Sequence, residues 1–300
     1  MNKLKFVIIG PKTKNTEDLV SEIKKRNHQV VVLKLNELIF KFIDKKFKVI
    51  KGNINLDYFD IYIFRAFDRN TIEAQVLIKK LIRGNKVVID DIIGNDFISG
   101  KIFEASRLIE AGVNIPNTWQ ALCFSSYKKL LSEIVFPVIV KPICGQKGKG
   151  LKKINSKKEY LDFFKHNEKG YFIQKYLPIK SDFRVMVVGN NALGAIERFI
   201  IKGDFRSNTS LGSKVTKALM NKDMKEIAIA AAKALNFEIA GVDLAKYKNK
   251  YYVLEVNHTP QWQKFKKLNK INPAEYIIDY ALNKFRKASN FKRTNDNKRS

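Results

Sequence analysis

Cysteine is nearly absent. The 300-residue chain holds only Cys123 and Cys144, too few and too unpatterned for a disulfide framework or a zinc site. That usage is what a cytoplasmic protein shows, and a cytoplasmic location is the expectation. No run approaches the roughly 18 consecutive apolar residues that span a bilayer, so no membrane role is expected. The opening MNKLKFVIIG has a short apolar stretch without a small-residue cleavage site, which predicts a first buried strand and not a signal peptide. His28, His166 and His258 are scattered, and no Ser-His-Asp or Cys-His constellation stands out. Acidic residues are also scarce, with 29 Asp and Glu against 57 Lys and Arg for a formal charge of +28. Lysine greatly outnumbers arginine and is spread along the whole chain. Specific nucleic-acid readers favour Arg for bidentate contacts, so dedicated nucleic-acid binding is disfavoured, while anionic nucleotides or an acidic acceptor would be attracted.

What is present is patterned as an α/β protein. Hydrophobic residues make up 45% of the chain, enough for a core. In the first third, KFVIIG, HQVVVLKL, IYIFR and KVVIDD read as strands, and helical patterns fall at residues 18–25 and 71–83. This alternation predicts an open parallel α/β layer. No G-x-G-x-x-G follows the first strand, which disfavours a dinucleotide role there. A helix over 101–110 ends at Gly112, a suitable C′ residue, with Pro116 beyond. From Phe136 the chain is strand-rich, with helices at 157–166 and 222–235. The expected domains are 1–93 (α/β), 94–172 (first α+β lobe), 173–285 (second lobe) and 286–300 (basic unstructured tail).

Two segments carry chemistry. AGVDLAKY and YYVLEVNHT read as strands joined by Lys248, Asn249 and Lys250. A turn centred on Asn249 sets Asp243 directly across from Glu255, with Asn257 two residues on and facing the same way. Like charges opposed across a ladder repel, and burying a lone carboxylate costs several kcal/mol or more. A cation removes both problems, and an all-oxygen set suits Mg²⁺ or Mn²⁺ shared with phosphates. Pairing of the two acids with lysines is the plain alternative, and a register shifted by one would put them on opposite faces. Upstream, Lys141 closes the apolar strand PVIV and needs a partner. Gly145, Gly148 and Gly150 follow it in a loop interleaved with lysines. That loop is no Walker A, because no G-K-[ST] leads into a helix, but a glycine flap of this kind can close over phosphates; a solvated hairpin turn would look similar.

The motifs Gln174-Lys175-Tyr176-Leu177, Asp182-Phe183-Arg184-Val185, Ala195-Ile196-Glu197-Arg198, Gly203 through Asn208, Gly241-Val242-Asp243-Leu244 and Leu254-Glu255-Val256-Asn257 stand in the order found in RimK-type ATP-grasp ligases, which this chain resembles from about residue 94 to 282. The resemblance implies a preceding α/β domain and a two-lobed ATP-grasp fold. It implies an ATP-dependent, ADP-forming carboxylate–amine ligase that forms an amide through an acyl phosphate, adding glutamate to an amine on a protein terminus or a small molecule. By that resemblance Lys101 and Lys141 contact the nucleotide phosphates. Gln174, Lys175, Tyr176 and Leu177 line the adenine, and Asp182 binds the ribose. Arg206, Ser207 and Asn208 lie at the triphosphate, Arg198 and Arg206 stabilise transferred charge, and Asp243, Glu255 and Asn257 hold two ions with Glu255 bridging. Arg198, Arg206 and Lys101 as plain surface cations is the alternative. The segment His258-Thr259-Pro260-Gln261-Trp262 departs from the small-residue Pro-Gly segment usual in that family. Its Asn-His-Thr is similar to ligases that modify a carrier protein in lysine or arginine biosynthesis, and it puts the acceptor in doubt. His258 is a candidate base for the attacking amine, and Trp262 a candidate wall of the acceptor pocket. A non-catalytic ATP-binding regulatory module is the reading from another class. A homo-oligomer is compatible with all of these.

Overall fold

The computed structural model describes residues 3–66, 70–95, 100–143, 150–201, 204 and 213–296, with backbone alone for 95 and 291–296. The chain forms two compact units. The first comprises 1–97, 236–239 and 258–300, and the second 98–235 and 240–257.

In the first unit β1 (Lys5–Ile9) and α1 (Lys14–Lys25) lead to β2 (Gln29–Leu33), and a hairpin β3 (Ile39–Ile43), β4 (Lys46–Lys51) and β5 (Ile54–Asn55) precedes β6 (Ile61–Phe64), α2 (Thr71–Arg83), β7 (Val87–Ile89) and the single turn α3 (Ile92–Asn95). The parallel order is β2-β1-β6-β7. Its central strands are apolar runs because helices cover both faces; Phe6, Val7, Ile8 and Ile9 are all fully buried. The sequence starts α1 with an N-cap, as the Thr13 side chain accepts from the Thr16 amide. Ala74, Leu77, Ile78 and Leu81 recur at helical spacing on α2 and enter the core. The β3–β4–β5 sheet has no counterpart in the strands expected from the sequence. Its residues IFKFI and KFKVIK mix apolar and basic side chains without strict alternation, and Phe42 stacks on Phe47 at 4.4 Å while staying largely exposed.

The second unit begins with α4 (Lys101–Glu110), followed by β8 (Thr118–Trp119), α5 (Phe124–Lys129), β9 (Val138–Pro142), β10 (Lys152–Ile154), α6 (Lys157–His166) and β11 (Tyr171–Lys175). Gly112, just past α4, adopts the left-handed conformation (φ +69°) expected of a helix stop. An antiparallel sheet, β10-β9-β11-β8, packs on an aromatic core in which Tyr127 stacks on Phe164 at 3.8 Å. Then come β12 (Ser181–Val188), β13 (Asn191–Phe199), β14 (Val215–Ala218), α7 (Lys222–Ala234), β15 (Ile239–Tyr247) and β16 (Lys250–Asn257), in the sheet order β14-β13-β12-β15-β16.

After Asn257 the chain returns to the first unit as α8 (Gln263–Asn269) and α9 (Pro273–Asp296). This corrects the expectation that residues to 285 belong with the second lobe. Trp262 is fully buried and donates Nε1 to Asp18, Arg65 donates to the Pro260 carbonyl, and Arg26 pairs with Asp279. The expected unstructured tail from 286 is also corrected, since α9 continues to Asp296. Residues 286–296 contain neither Gly nor Pro, so nothing stops the helix once Ile277, Ile278 and Ala281 anchor it. Among the described residues no helix is long and apolar enough to cross a membrane.

Phe164→Ala removes a fully buried ring stacked on Tyr127. It is expected to destabilise the second unit by about 3–5 kcal/mol, read as a lower urea midpoint with an unchanged slope.

Candidate active site

The β15–β16 hairpin sets Asp243 opposite Glu255 and Gly241 opposite Asn257. The opposition matches the expectation, but it arises differently. The turn has two residues, Lys248 and Asn249, both at positive φ, as a type I′ hairpin requires. Tyr247 therefore pairs with Lys250, and a regular ladder would set Asp243 opposite Leu254. An irregularity between Asp243 and Leu244 absorbs the extra residue and restores Asp243 to Glu255. Glu255 and Asn257 lie on the more open face of β16, whereas Val253 and Val256 are buried.

A row of alternating charge crosses this sheet. Asp182 on β12 is the cross-strand partner of Arg198 on β13, and the two form a bidentate pair at 2.6 Å with each side chain almost fully buried. Arg184, two residues beyond Asp182 and so on the same face, grips both oxygens of Asp243 at 2.7 Å. Arg198 reaches Asp243 as well, at 2.9 Å. Burial alone would raise the Asp243 pKa, but the two guanidinium groups outweigh it and hold the carboxyl below its usual range. Burial likewise opposes the charge on Arg198, and Asp243 with Asp182 reverses the balance.

The lysines meet the acids from the other side. Lys101, the first residue of α4, donates to Glu255 Oε1 at 2.8 Å. Burial would lower its pKa, yet Glu255 and Glu104 keep it above the usual lysine value. Lys141, at the end of β9, is buried and donates to Gln174 Oε1 at 2.6 Å; Gln174 lies across the β9–β11 pairing. Burial, helped by the neighbouring Lys101, pushes Lys141 down to about 8. Glu104 lies one helical turn after Lys101 and feels Lys101, Glu255 and Lys141. Burial drives it up to about 7. Sequence reasoning missed Glu104 and Arg184, although i,i+3 spacing from Lys101 and i,i+2 spacing from Asp182 place both.

The structure therefore brings together Lys101, Lys141, Gln174, Asp182, Arg198, Asp243 and Glu255, and revises three expectations. Arg198 is no free cation: it is 3% exposed and saturated by two carboxylates. Asp182, also 3% exposed, has both oxygens bound by Arg198 and not an open face for a ribose, because the β12–β13 register makes the two residues partners. Asp243 and Glu255 each have a basic partner, Arg184 with Arg198 for the first and Lys101 for the second, which offsets the repulsion of opposed acids. Of the segment expected at the adenine, Gln174 and Leu177 are buried, Lys175 is exposed, and Tyr176 lies under the Lys153 ammonium at 4.1 Å. Arg206, Ser207, Asn208 and the glycine loop at 144–149 lie outside the described residues. Trp262 is core of the first unit and no pocket wall, and His258 rests against Phe237 at 5.5 Å.

Asp243, Glu255 and Asn257 offer oxygen donors alone, which suits a hard divalent cation. Glu255 is the accessible one, its side chain 46% exposed. Among the described residues no three His, Cys, Asp or Glu side chains converge as a metal site.

Comparison with known proteins identifies the family and the fold. A family model described as RimK-like ATP-grasp domain matches residues 99–281. The chain is 32% identical over 178 residues to a "Probable alpha-L-glutamate ligase" of Haemophilus influenzae strain PittEE, a match covering 58% of this chain and 60% of that relative; the chain thus spans about three fifths of such relatives. It is 24% identical over 280 residues to the "Glutamate--LysW ligase ArgX" of Sulfurisphaera tokodaii, covering 90% of this chain and 99% of the relative. Among solved structures, the ATP-grasp ligase PsnB complexed with a phosphomimetic precursor variant, Mg and ADP superposes with a TM-score of 0.72 at 16% identity, over 95% of this chain and 99% of that one. The chain shares its fold.

Removing Arg198 leaves two buried carboxylates under-compensated, so Arg198→Ala is expected to cost about 3–5 kcal/mol of stability in urea unfolding. Lys141→Met should act in the opposite sense. The depressed Lys141 pKa means that burying its charge opposes folding fully below about pH 8 and ceases to do so above the ordinary lysine value. The variant should melt higher than the parent at pH 7, the gap closing as pH rises from about 8 towards that value.

Proposed function

The chain belongs to the RimK-like ATP-grasp domain family, and from that premise we propose that it is an ADP-forming carboxylate–amine ligase that joins glutamate to an amine. The observation that carries the reading is the meeting of Lys101 with Glu255, directly across the ladder from Asp243: a phosphate-type lysine at an acid pair in one unit. In the proposed reaction a substrate carboxylate oxygen attacks the γ-phosphorus of ATP, ADP departs, and the amine displaces phosphate from the resulting acyl phosphate. Phosphoryl transfer needs positioning and charge neutralisation more than a protein nucleophile. Mg²⁺, when bound, neutralises phosphate charge; Glu255, Asn257 and Asp243 would hold it. Lys101 exchanges Glu255 for phosphate oxygens, and Lys141 meets them as an ammonium supported by Gln174. Arg184 and Arg198 fix the Asp243 carboxylate instead of touching the transferred group. Arg206, Ser207 and Asn208 belong to the proposal by family position.

The acceptor has two supported sources. The higher identity is to the glutamate ligase of Haemophilus influenzae, and matches extending along nearly the whole of both chains include a ligase named for LysW and a probable alpha-L-glutamate ligase alike.

Glu255→Gln is expected to keep the fold, because the residue is exposed, and to reduce ATP-dependent phosphate release in the presence of Mg²⁺, glutamate and an amine panel to background. Full turnover in that variant removes the metal assignment. Failure of every carboxylate and amine pair to release phosphate from the parent protein removes the ligase reading.

A further inference from the structure

Within the first unit, the segment before β1, the end of α1 and helix α9 line a cavity of about 840 Å³. Lys3, Lys24, Arg26, His28, Asp279 and Arg286 carry its polar groups. A second cavity of about 430 Å³ shares Lys3, Lys24 and His28 and adds an apolar wall of Val30, Val31 and Phe59. Spaces of this size hold a small organic molecule. Their charge is one-sided. Asp279, the one acid lining either cavity, is already bound by Arg26 at 2.9 Å, and Arg26 pairs with Glu22 as well. Lys3 and Lys24 have no ion pair among the described residues, and Arg286 donates to the Asn283 amide oxygen at 3.0 Å. Cations around a concave space focus a positive potential on it.

His28 lines both cavities and is only 8% exposed. Its Nδ1 accepts from the Leu4 amide at 3.3 Å, and its ring lies 5.6 Å from that of Phe6. A ring nitrogen that accepts from an amide carries no hydrogen, so the hydrogen of the neutral imidazole is on Nε2. Burial, with Arg26 adding to it, lowers the His28 pKa and keeps the ring neutral. Nε2–H is thus a fixed donor with no acceptor among the described residues, and buried donors of this kind take a partner. The negative end of the α1 dipole is blunted here, because the Ile23 and Lys24 carbonyls already accept from the Arg26, Asn27 and His28 amides. Two ammonium groups, a guanidinium and a neutral N–H are complemented by a dianion with several acceptor oxygens. We propose that this cavity binds a small phosphomonoester, its phosphate accepting from His28 Nε2, Lys3, Lys24 and Arg286 and its organic part lying against Val30, Val31 and Phe59. The site shares no residue with the candidate active site.

His28, His166 and His258 are the only histidines, so imidazole proton–nitrogen NMR spectra follow His28 individually, with exposed His166 as the control for bulk ions. Full-length protein without nucleotide is titrated at constant ionic strength with glycerol phosphate, with inorganic phosphate and with glycerol, and separately with vesicles containing phosphatidic acid. The expected result is a saturable shift at His28 Nε2 with both phosphates, none with glycerol, and a stationary His166. Lys24→Gln should weaken glycerol phosphate binding about tenfold, as loss of a hydrogen bond from a charged donor does. Lys25→Gln removes the same formal charge from the next residue, which pairs with Glu22, and should leave binding unchanged. Equal weakening by the two variants overturns the proposal, because the general field of the surface would then be the cause. Failure of glycerol phosphate to saturate the His28 shift also overturns it. So does a response to vesicles alone, which would make this edge a membrane-surface patch. Turnover is not the readout, so this proposal and the ligase reading can fail independently.

Discussion

The second unit is organised around one constraint: carboxylates on a single face of a β-sheet must not be left facing each other unpaid. Arg198, Asp182, Arg184 and Asp243 answer it by alternation of sign across β13, β12 and β15, and Lys101 answers it for Glu255 from outside the sheet. Replacing such a buried network by apolar residues of equal volume is often neutral or stabilising, so stability alone does not explain its presence. Its geometric effect is more telling. Three bidentate or shared contacts fix the Asp243 carboxylate, while among the described residues Glu255 is held by the Lys101 ammonium and is the more exposed of the two acids.

Much of this was legible in the sequence. The helices at 71–83, 101–110 and 157–166 coincide with those observed because their apolar residues recur at helical spacing, with the Ser156 cap adding to it at the third. The opposition of Asp243 and Glu255 followed from strand alternation about a basic turn, even though turn length and irregularity offset each other in a way no pattern announces. What stayed hidden depends on pairing between distant strands. That Asp182 and Arg198 are partners follows from the β12–β13 register, which bends at Met186 and Val187; without it, each residue reads as a separate ligand contact. The β3–β5 sheet went unread because its exposed Ile39, Phe42 and Ile43 bury too little to leave a one-sided pattern.

The return of the chain after Asn257 was illegible for a related reason. Pro260 and Trp262 look like pocket material when read as a continuation of β16. Their partners, Arg65 and Asp18, lie about two hundred residues earlier, and nothing local announces them. Long-range hydrogen bonds of this kind make the segment part of the first unit's interior and convert an apparent family departure into packing.

The extra residue at Leu254 has a consequence for how the hairpin can vary. A ribbon closed by three residues centred on Asn249, with a regular ladder, would bring Asp243 and Glu255 opposite one another just as the two-residue turn with its irregularity does. Sequence drift at the tip can therefore be absorbed by relocating one unpaired position along β16. The chemistry at the base of the hairpin is insulated from the loop at its end.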